Sequence, residues 1–157
     1  MRWVVVRAGF NRLRAVQAKR DSMMPHSRST PRHVFVYGTL RAGGRNDIAR
    51  FRPQPERVGD ATLAGTLYDL GAYPGAVLGG AGVLHGEVYR ITPGVEAALD
   101  RLEEVADDDT GEYIKRECQV VVGGELVDCL VYEIHPARIP GRPTIDSGDW
   151  FRREFHG

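Results

Sequence analysis

The sequence has few of the features that mark disulfide-stabilised, metal-binding or membrane proteins. Only two of its 157 residues are cysteines, Cys118 and Cys129. Of its five histidines, His33, His85 and His135 are too scattered to suggest a metal site. No apolar run approaches the roughly 20 residues that span a bilayer, and the early run over residues 3–6 is too short for a secretory signal. We therefore expect a cytoplasmic protein with no metal and no membrane partner.

The net charge is zero, but basic residues are concentrated at the start of the chain. The first 32 residues contain eight Lys or Arg and one acid, whereas the remainder contains 13 Lys or Arg and 20 acids. An acidic domain does not suit phosphate neutralisation, so we expect no nucleic-acid partner. We interpret residues 1–31 as a disordered basic extension, or as the product of a start codon upstream of the true start at Met23 or Met24. A transit peptide, or an adaptor for nucleic acid or membranes, is the alternative.

The rest of the chain, residues 32–157, has the length of one domain. It follows a linker rich in Ser and Pro over residues 20–31. β-branched and aromatic runs bounded by Gly or Pro predict five strands, over residues 33–37, 61–70, 83–91, 113–122 and 125–134. A short helix is expected over residues 46–51, and a surface loop over residues 137–149.

The last two predicted strands are joined by Gly123 and Gly124, a strong signal for a two-residue hairpin turn. In that register, facing residues have numbers that sum to 247. Cys118 therefore faces Cys129, and we expect this pair to be reduced thiols.

One helix is well marked between the third and fourth predicted strands. Thr92 and Pro93 supply an N-cap and a first-turn proline. The apolar residues that follow at spacings of three and four form one stripe, made of Val95, Ala98, Leu99 and Leu102. Several strands with one clear helix and no alternation of strands and helices predict an α+β domain with a largely antiparallel or mixed sheet.

Two segments carry candidate chemistry. Glycines in residues 37–44 follow the first strand and can turn backbone N–H groups toward a ligand, although no Walker motif is present. Glu103 lies beside the apolar stripe and near Asp100, Glu104 and the acidic residues 107–109, and both burial and like charge raise a carboxylate pKa. Taken singly, a strand-to-loop turn and solvated helix charges are the simpler interpretations.

The joint pattern of these and other segments resembles the gamma-glutamylcyclotransferase-like superfamily over about residues 33–151. The resemblance rests on six ordered blocks: residues 34–40 (VFVYGTL), 65–74 (GTLYDLGAYP), 86–89 (GEVY), 99–103 (LDRLE), 113–116 (YIKR) and 147–150 (SGDW). It implies a small mixed β-barrel flanked by helices, with a cavity at its open mouth. The short Tyr-Gly-Thr-Leu form is closer to the gamma-glutamylamine cyclotransferases and their bacterial relatives than to enzymes acting on free gamma-glutamyl amino acids.

The resemblance also implies a cofactor-independent enzyme that releases 5-oxoproline from a small gamma-glutamyl substrate. Glu103 would be the catalytic acid and base, although the family often has Glu-Gly where this chain has Glu103 and Glu104. Four residues would bind the substrate: Tyr37, Gly38, Thr39 and Leu40. Tyr113 would line the pocket or simply be an aromatic residue of the barrel wall. A domain of the same fold that binds a small ligand without catalysis is the alternative.

Overall fold

A computed structural model of the protein describes residues 31–103 and 111–152. Within them five strands form a closed barrel, and one α-helix packs against its outside. The elements in chain order are β1 (Arg32–Val36), β2 (Glu56–Asp69), β3 (Pro74–Ile91), α1 (Pro93–Leu102), β4 (Tyr113–Val122) and β5 (Glu125–Ile134). The α+β class and the small barrel are confirmed. The predicted extension lies outside the described residues apart from Pro31.

The strand order around the barrel is β1-β3-β2-β4-β5, and the first and last strands close it. That closing pair is parallel, with His33 opposite Cys129 and Val34 opposite Leu130. The other neighbouring pairs are antiparallel. The sheet is therefore mixed, and the parallel contact brings the C-terminal end of β1 to the end of β5.

The hairpin of β4 and β5 has the predicted bounds and register. Tyr113 faces Ile134 and Cys118 faces Cys129, so the residue numbers of facing pairs sum to 247. Gly123 and Gly124 have φ angles of 58° and 85°, which glycine adopts without strain. The two cysteines form no disulfide, and burial raises the pKa of the Cys129 thiol to about 12.

The hairpin of β2 and β3 is much longer than predicted, because the proline and the glycines in the first half of β3 do not break that strand. Pro74 is the first residue of β3, a position where a strand tolerates proline. The next residue, Gly75, lets another strand approach closely, since a Cβ there would lie 2.6 Å from Cβ of Ile134. The pairing register between β2 and β3 shifts after Ala64. Gly79 and Gly80, with φ of 93° and 83°, lie among the residues of β3 that have no partner at this shift.

Helix α1 begins as predicted and packs through a narrower stripe. Oγ1 of Thr92 accepts a hydrogen bond from N of Val95 at 3.2 Å, and Pro93 begins the helix. Val95 and Leu99 are fully buried against β1, β3 and β5. Leu102, predicted to share that stripe, is instead 41% exposed. Of the helices in residues 31–103 and 111–152, none is long and apolar enough to cross a bilayer.

The segment after β5, in which a surface loop was predicted over residues 137–149, contributes to the core. It contains a short 3-10 turn, Pro136–Arg138, and a single β-bridge between Tyr68 and Thr144. Ile145 and Trp150 then turn inward and join the cluster that fills the barrel. The Pro and Gly content correctly predicted irregular backbone, but it did not indicate that two apolar side chains anchor the segment.

Candidate active site

In the loop that follows β1, carbonyl groups are occupied and three N–H groups have no acceptor among the described residues. The carbonyls of Gly38, Thr39 and Leu40 accept hydrogen bonds from N of Arg41, Asn46 and Ile48 at 3.0, 2.9 and 3.0 Å. Within residues 31–103 and 111–152, the N–H groups of Gly38, Thr39 and Leu40 donate to no protein acceptor. The loop therefore presents consecutive backbone donors in a conformation fixed by its own carbonyls.

Two glycines make this conformation possible. A Cβ on Gly38 would lie 2.6 Å from Cγ of Pro74, at the start of β3. A Cβ on Gly44 would lie 2.3 Å from the carbonyl oxygen of Thr39. Both distances are shorter than real Cβ contacts, so the loop needs glycine at each position.

A buried ion-pair network connects the loop to the rest of the fold. Glu87 on β3 is only 4% exposed and accepts hydrogen bonds from Nε of Arg41 at 2.8 Å and from N of Ala42 at 2.9 Å. Arg41 also donates to Asp149 at 2.7 Å, and its guanidinium lies 4.4 Å from the ring centre of Phe151. The network ties the loop to the barrel and to the C-terminal segment.

A cavity of about 260 Å³ opens beside the loop. The six residues predicted for the site all line it: Tyr37, Gly38, Thr39, Leu40, Glu103 and Tyr113. The structure thus brings together a loop near residue 40, a helix end and a strand start. Sequence reasoning missed five other residues with polar side-chain groups on the same walls: Arg45, Asn46, Tyr73, Glu112 and Tyr132.

Glu103 caps the C-terminus of α1 and is partly buried. Its N–H donates to the carbonyl of Leu99 at 2.9 Å, which continues the helix by one residue and places the side chain on the cavity wall. Burial first, and then the nearby charge of Glu112, raise the pKa of Glu103 to about 7. A carboxyl group with this pKa can both accept and return a proton near neutral pH.

Of the acids predicted to raise the pKa of Glu103, the structure tests Asp100 alone. Asp100 was expected to raise the pKa of Glu103, but Oδ2 of Asp100 pairs with Nζ of Lys115 at 2.8 Å and Oδ1 accepts from the Tyr132 hydroxyl at 2.7 Å. Among residues 31–103 and 111–152, the nearby charge comes instead from Glu112, which precedes β4. Glu104 and residues 107–109, also predicted to contribute, lie outside the described residues.

The tyrosines of the cavity are fixed donors rather than bases. The Tyr37 hydroxyl donates to the carbonyl of Tyr132 at 2.6 Å and accepts from N of Ala76 at 3.1 Å. The Tyr113 hydroxyl donates to the carbonyl of Pro74 at 2.7 Å. Burial raises the pKa of both phenols far above neutrality, so both stay protonated. Tyr113 therefore belongs to the barrel wall and to the cavity lining at once.

Two of the residues that sequence reasoning did not predict for the site form a hydrogen bond, in which the Tyr73 hydroxyl donates to Oε2 of Glu112. The two are 39 positions apart, and no spacing rule connects them. The available sequence signal was the acid immediately before Tyr113. Among residues 31–103 and 111–152, no group of three or more His, Cys, Asp or Glu side chains is placed to hold a metal ion.

Comparison with known proteins gives the same family from sequence and from fold. Residues 34–152 match the family model described as gamma-glutamyl cyclotransferase, AIG2-like. The gamma-glutamylcyclotransferase family protein YtfP of Escherichia coli K12 is 37% identical over 122 residues, which cover 77% of this chain and 97% of YtfP. The solution structure of E. coli YtfP matches with a TM-score of 0.53 at 35% identity, and the match covers 77% of this chain and 97% of that chain.

A further relative carries a substrate in its name. The gamma-L-glutamyl-butirosin B gamma-glutamyl cyclotransferase of Niallia circulans is 35% identical over 96 residues, which cover 59% of this chain and 60% of that protein. The family match spans most of the described residues and includes the loop, Glu103 and Tyr113. The chain belongs to the gamma-glutamyl cyclotransferase, AIG2-like family.

Proposed function

We propose that this protein converts the gamma-glutamyl unit of an amide into 5-oxoproline and releases the attached amine or amino acid. One observation supports the proposal most directly. A partly buried carboxyl group, Glu103, has a pKa of about 7 and lies in the same cavity as three unused backbone donors of the loop after β1. The family match supports the reaction class, and this geometry supports Glu103 as the proton carrier and the loop as the oxyanion site.

The reaction needs one nucleophile that the substrate itself carries. The α-amino nitrogen attacks the γ-carbonyl carbon, a C–N bond forms, and the carbonyl π electrons move to oxygen. Glu103 accepts the proton that this nitrogen loses. When the tetrahedral intermediate collapses, the original amide C–N bond breaks and Glu103 returns the proton to the departing nitrogen. The products are 5-oxoproline and the free amine, and no water is consumed.

The loop stabilises the charge that develops on the carbonyl oxygen. The N–H groups of Gly38, Thr39 and Leu40 are the candidates for this role or for holding the substrate carboxylate, because no protein group within the described residues uses them. Fixed donors aimed at a developing oxyanion contribute about 10²–10³-fold to a rate. Orientation of the folded chain for five-membered ring closure adds several kcal/mol. With these contributions and one proton carrier, we propose that no cofactor takes part.

The test measures 5-oxoproline release from a panel of gamma-glutamyl amino acids, gamma-glutamyl amines and gamma-glutamyl-ε-lysine. The name of the Niallia circulans relative adds gamma-L-glutamyl-butirosin B to that panel. Release from at least one compound, lost in Glu103→Gln, supports the proposal. Binding of a panel member with no release from any of them would favour the alternative of a non-catalytic binding domain.

A further inference from the structure

Two charged side chains on the cavity wall have unused hydrogen-bonding capacity. The Arg45 guanidinium makes no ion pair or hydrogen bond with any residue in the parts of the chain that the structure describes. Glu112 receives one hydrogen bond, from the Tyr73 hydroxyl to Oε2, and its Oε1 has no partner within the same residues. Counted over the described residues, the cavity thus offers one free cation and, besides Glu103, one half-satisfied anion.

Two other cationic side chains near the cavity, in contrast, are paired within the described residues. Arg41 pairs with Glu87 and Asp149 behind the loop. Lys115 pairs with Glu96 and Asp100 beneath α1. These pairs satisfy the structural charges within the fold. Arg45 and Glu112 are therefore available to a ligand that carries a carboxylate and an ammonium.

We propose that Arg45 binds the α-carboxylate of the gamma-glutamyl unit and that Glu112 binds its α-ammonium. This inference rests on the proposed function, since it assigns the recognition of that substrate's amino-acid end. A guanidinium matches a carboxylate by two parallel N–H···O bonds, and a carboxylate accepts strongly from an ammonium. The ligand class is an L-α-amino acid head group with both charges free, joined through its side-chain amide.

The assignment separates recognition from chemistry within the cavity. With the α-carboxylate on Arg45, the loop N–H groups are left for the γ-carbonyl oxygen. With the α-ammonium on Glu112, the substrate nitrogen is held in the same cavity as Glu103, whose carboxylate takes one of its protons and leaves the neutral amine that attacks. That proton passes to the departing nitrogen, and the second proton, lost as the ring nitrogen becomes an amide, leaves on the released amine, which departs as an ammonium. Glu112 is thus a substrate-binding residue, whereas Glu103 carries the proton. Compounds with a blocked α-amino group or an amidated α-carboxyl are expected to bind poorly.

Three small probes test the two contacts separately, and calorimetry at neutral pH measures the binding of each. L-Glutamine is the minimal gamma-glutamyl amide and carries both charges. Glutaramate is the same molecule without the α-ammonium, and 4-aminobutanamide is the same molecule without the α-carboxylate. Binding is compared in the wild-type protein, in Arg45→Gln and in Glu112→Gln.

The pattern across the probes distinguishes recognition from structural damage. Arg45→Gln is expected to weaken L-glutamine and glutaramate about tenfold and to leave 4-aminobutanamide unchanged. Glu112→Gln is expected to weaken L-glutamine and 4-aminobutanamide about tenfold and to leave glutaramate unchanged. Arg142→Gln and Glu125→Gln make the same charge changes at exposed positions away from the cavity and are expected to change nothing.

The inference is overturned if either substitution leaves L-glutamine binding unchanged, if either weakens all three probes equally, or if the wild-type protein binds none of them. A separate assay for 5-oxoproline keeps its failure distinct from that of the proposed function. Selective losses of binding without 5-oxoproline release would retain the recognition and reject the activity. Turnover that is indifferent to both substitutions would do the reverse.

Discussion

The two sides of the cavity are built on opposite electrostatic principles. The loop after β1 is held by a fully paired network in which Glu87 and Asp149 both contact Arg41. The helix end instead brings two carboxylates near each other, and the pKa of Glu103 rises to about 7. The first arrangement fixes backbone donors at little cost in charge. The second buries a carboxyl group beside another carboxylate, and burial first, then the like charge, give Glu103 a proton affinity suited to transfer at neutral pH.

The largest expected effect comes from removing the proton carrier on the helix side. Glu103→Gln keeps shape and hydrogen bonding but cannot transfer a proton, so kcat should fall by about 10³–10⁴-fold with KM little changed. Steady-state 5-oxoproline release, with circular dichroism as a check on folding, measures this. The control is Glu104→Gln, predicted to be nearly silent. If Glu104→Gln were inactive and Glu103→Gln active, the other carboxylate would be the catalytic one.

The next effect breaks the paired side. Glu87 is buried against Arg41, and removing one partner of a buried pair leaves an uncompensated charge, so Glu87→Gln should lower the free energy of unfolding by about 3 kcal/mol. Urea unfolding measures this, with the exposed hairpin substitution Glu125→Gln as the matched control. An unchanged unfolding midpoint would mean that Asp149 alone is sufficient to hold Arg41.

The sequence predicted local features of both sides but not the contacts between distant segments. The Gly123–Gly124 turn and the Thr92 cap follow from local conformational rules, and each was found as predicted. The start of β3 was missed, because Pro74 and Gly75 normally break a strand and are tolerated here only through their position and the approach of Ile134. The pairing of Tyr73 with Glu112 depends on barrel closure, which no local rule describes.

A third prediction concerns the stability of the helix side. Because the folded pKa of Glu103 is raised, its contribution to stability is fully present below its unfolded value of about 4.5 and is lost as pH rises through about 7. Glu103→Gln lacks this loss. Relative to wild type, it should therefore gain on the order of 2 kcal/mol between about pH 5 and pH 8.5, after allowance for partial exposure. Urea unfolding at both pH values measures the difference, and a constant difference would contradict the raised pKa.

The smallest effect separates the two causes of that raised pKa. Glu103 must be deprotonated to accept the substrate proton, so wild-type kcat/KM should fall as pH decreases through about 7. Glu112→Gln removes the like charge but leaves the burial, which is the larger cause. The acid limb of the pH profile should therefore move to lower pH without reaching the value of an exposed glutamate, whereas Glu125→Gln should not move it. An unmoved limb in Glu112→Gln would assign the raised pKa of Glu103 to burial alone. The helix side would then differ from the loop side in the desolvation of a carboxyl group rather than in the repulsion between two carboxylates.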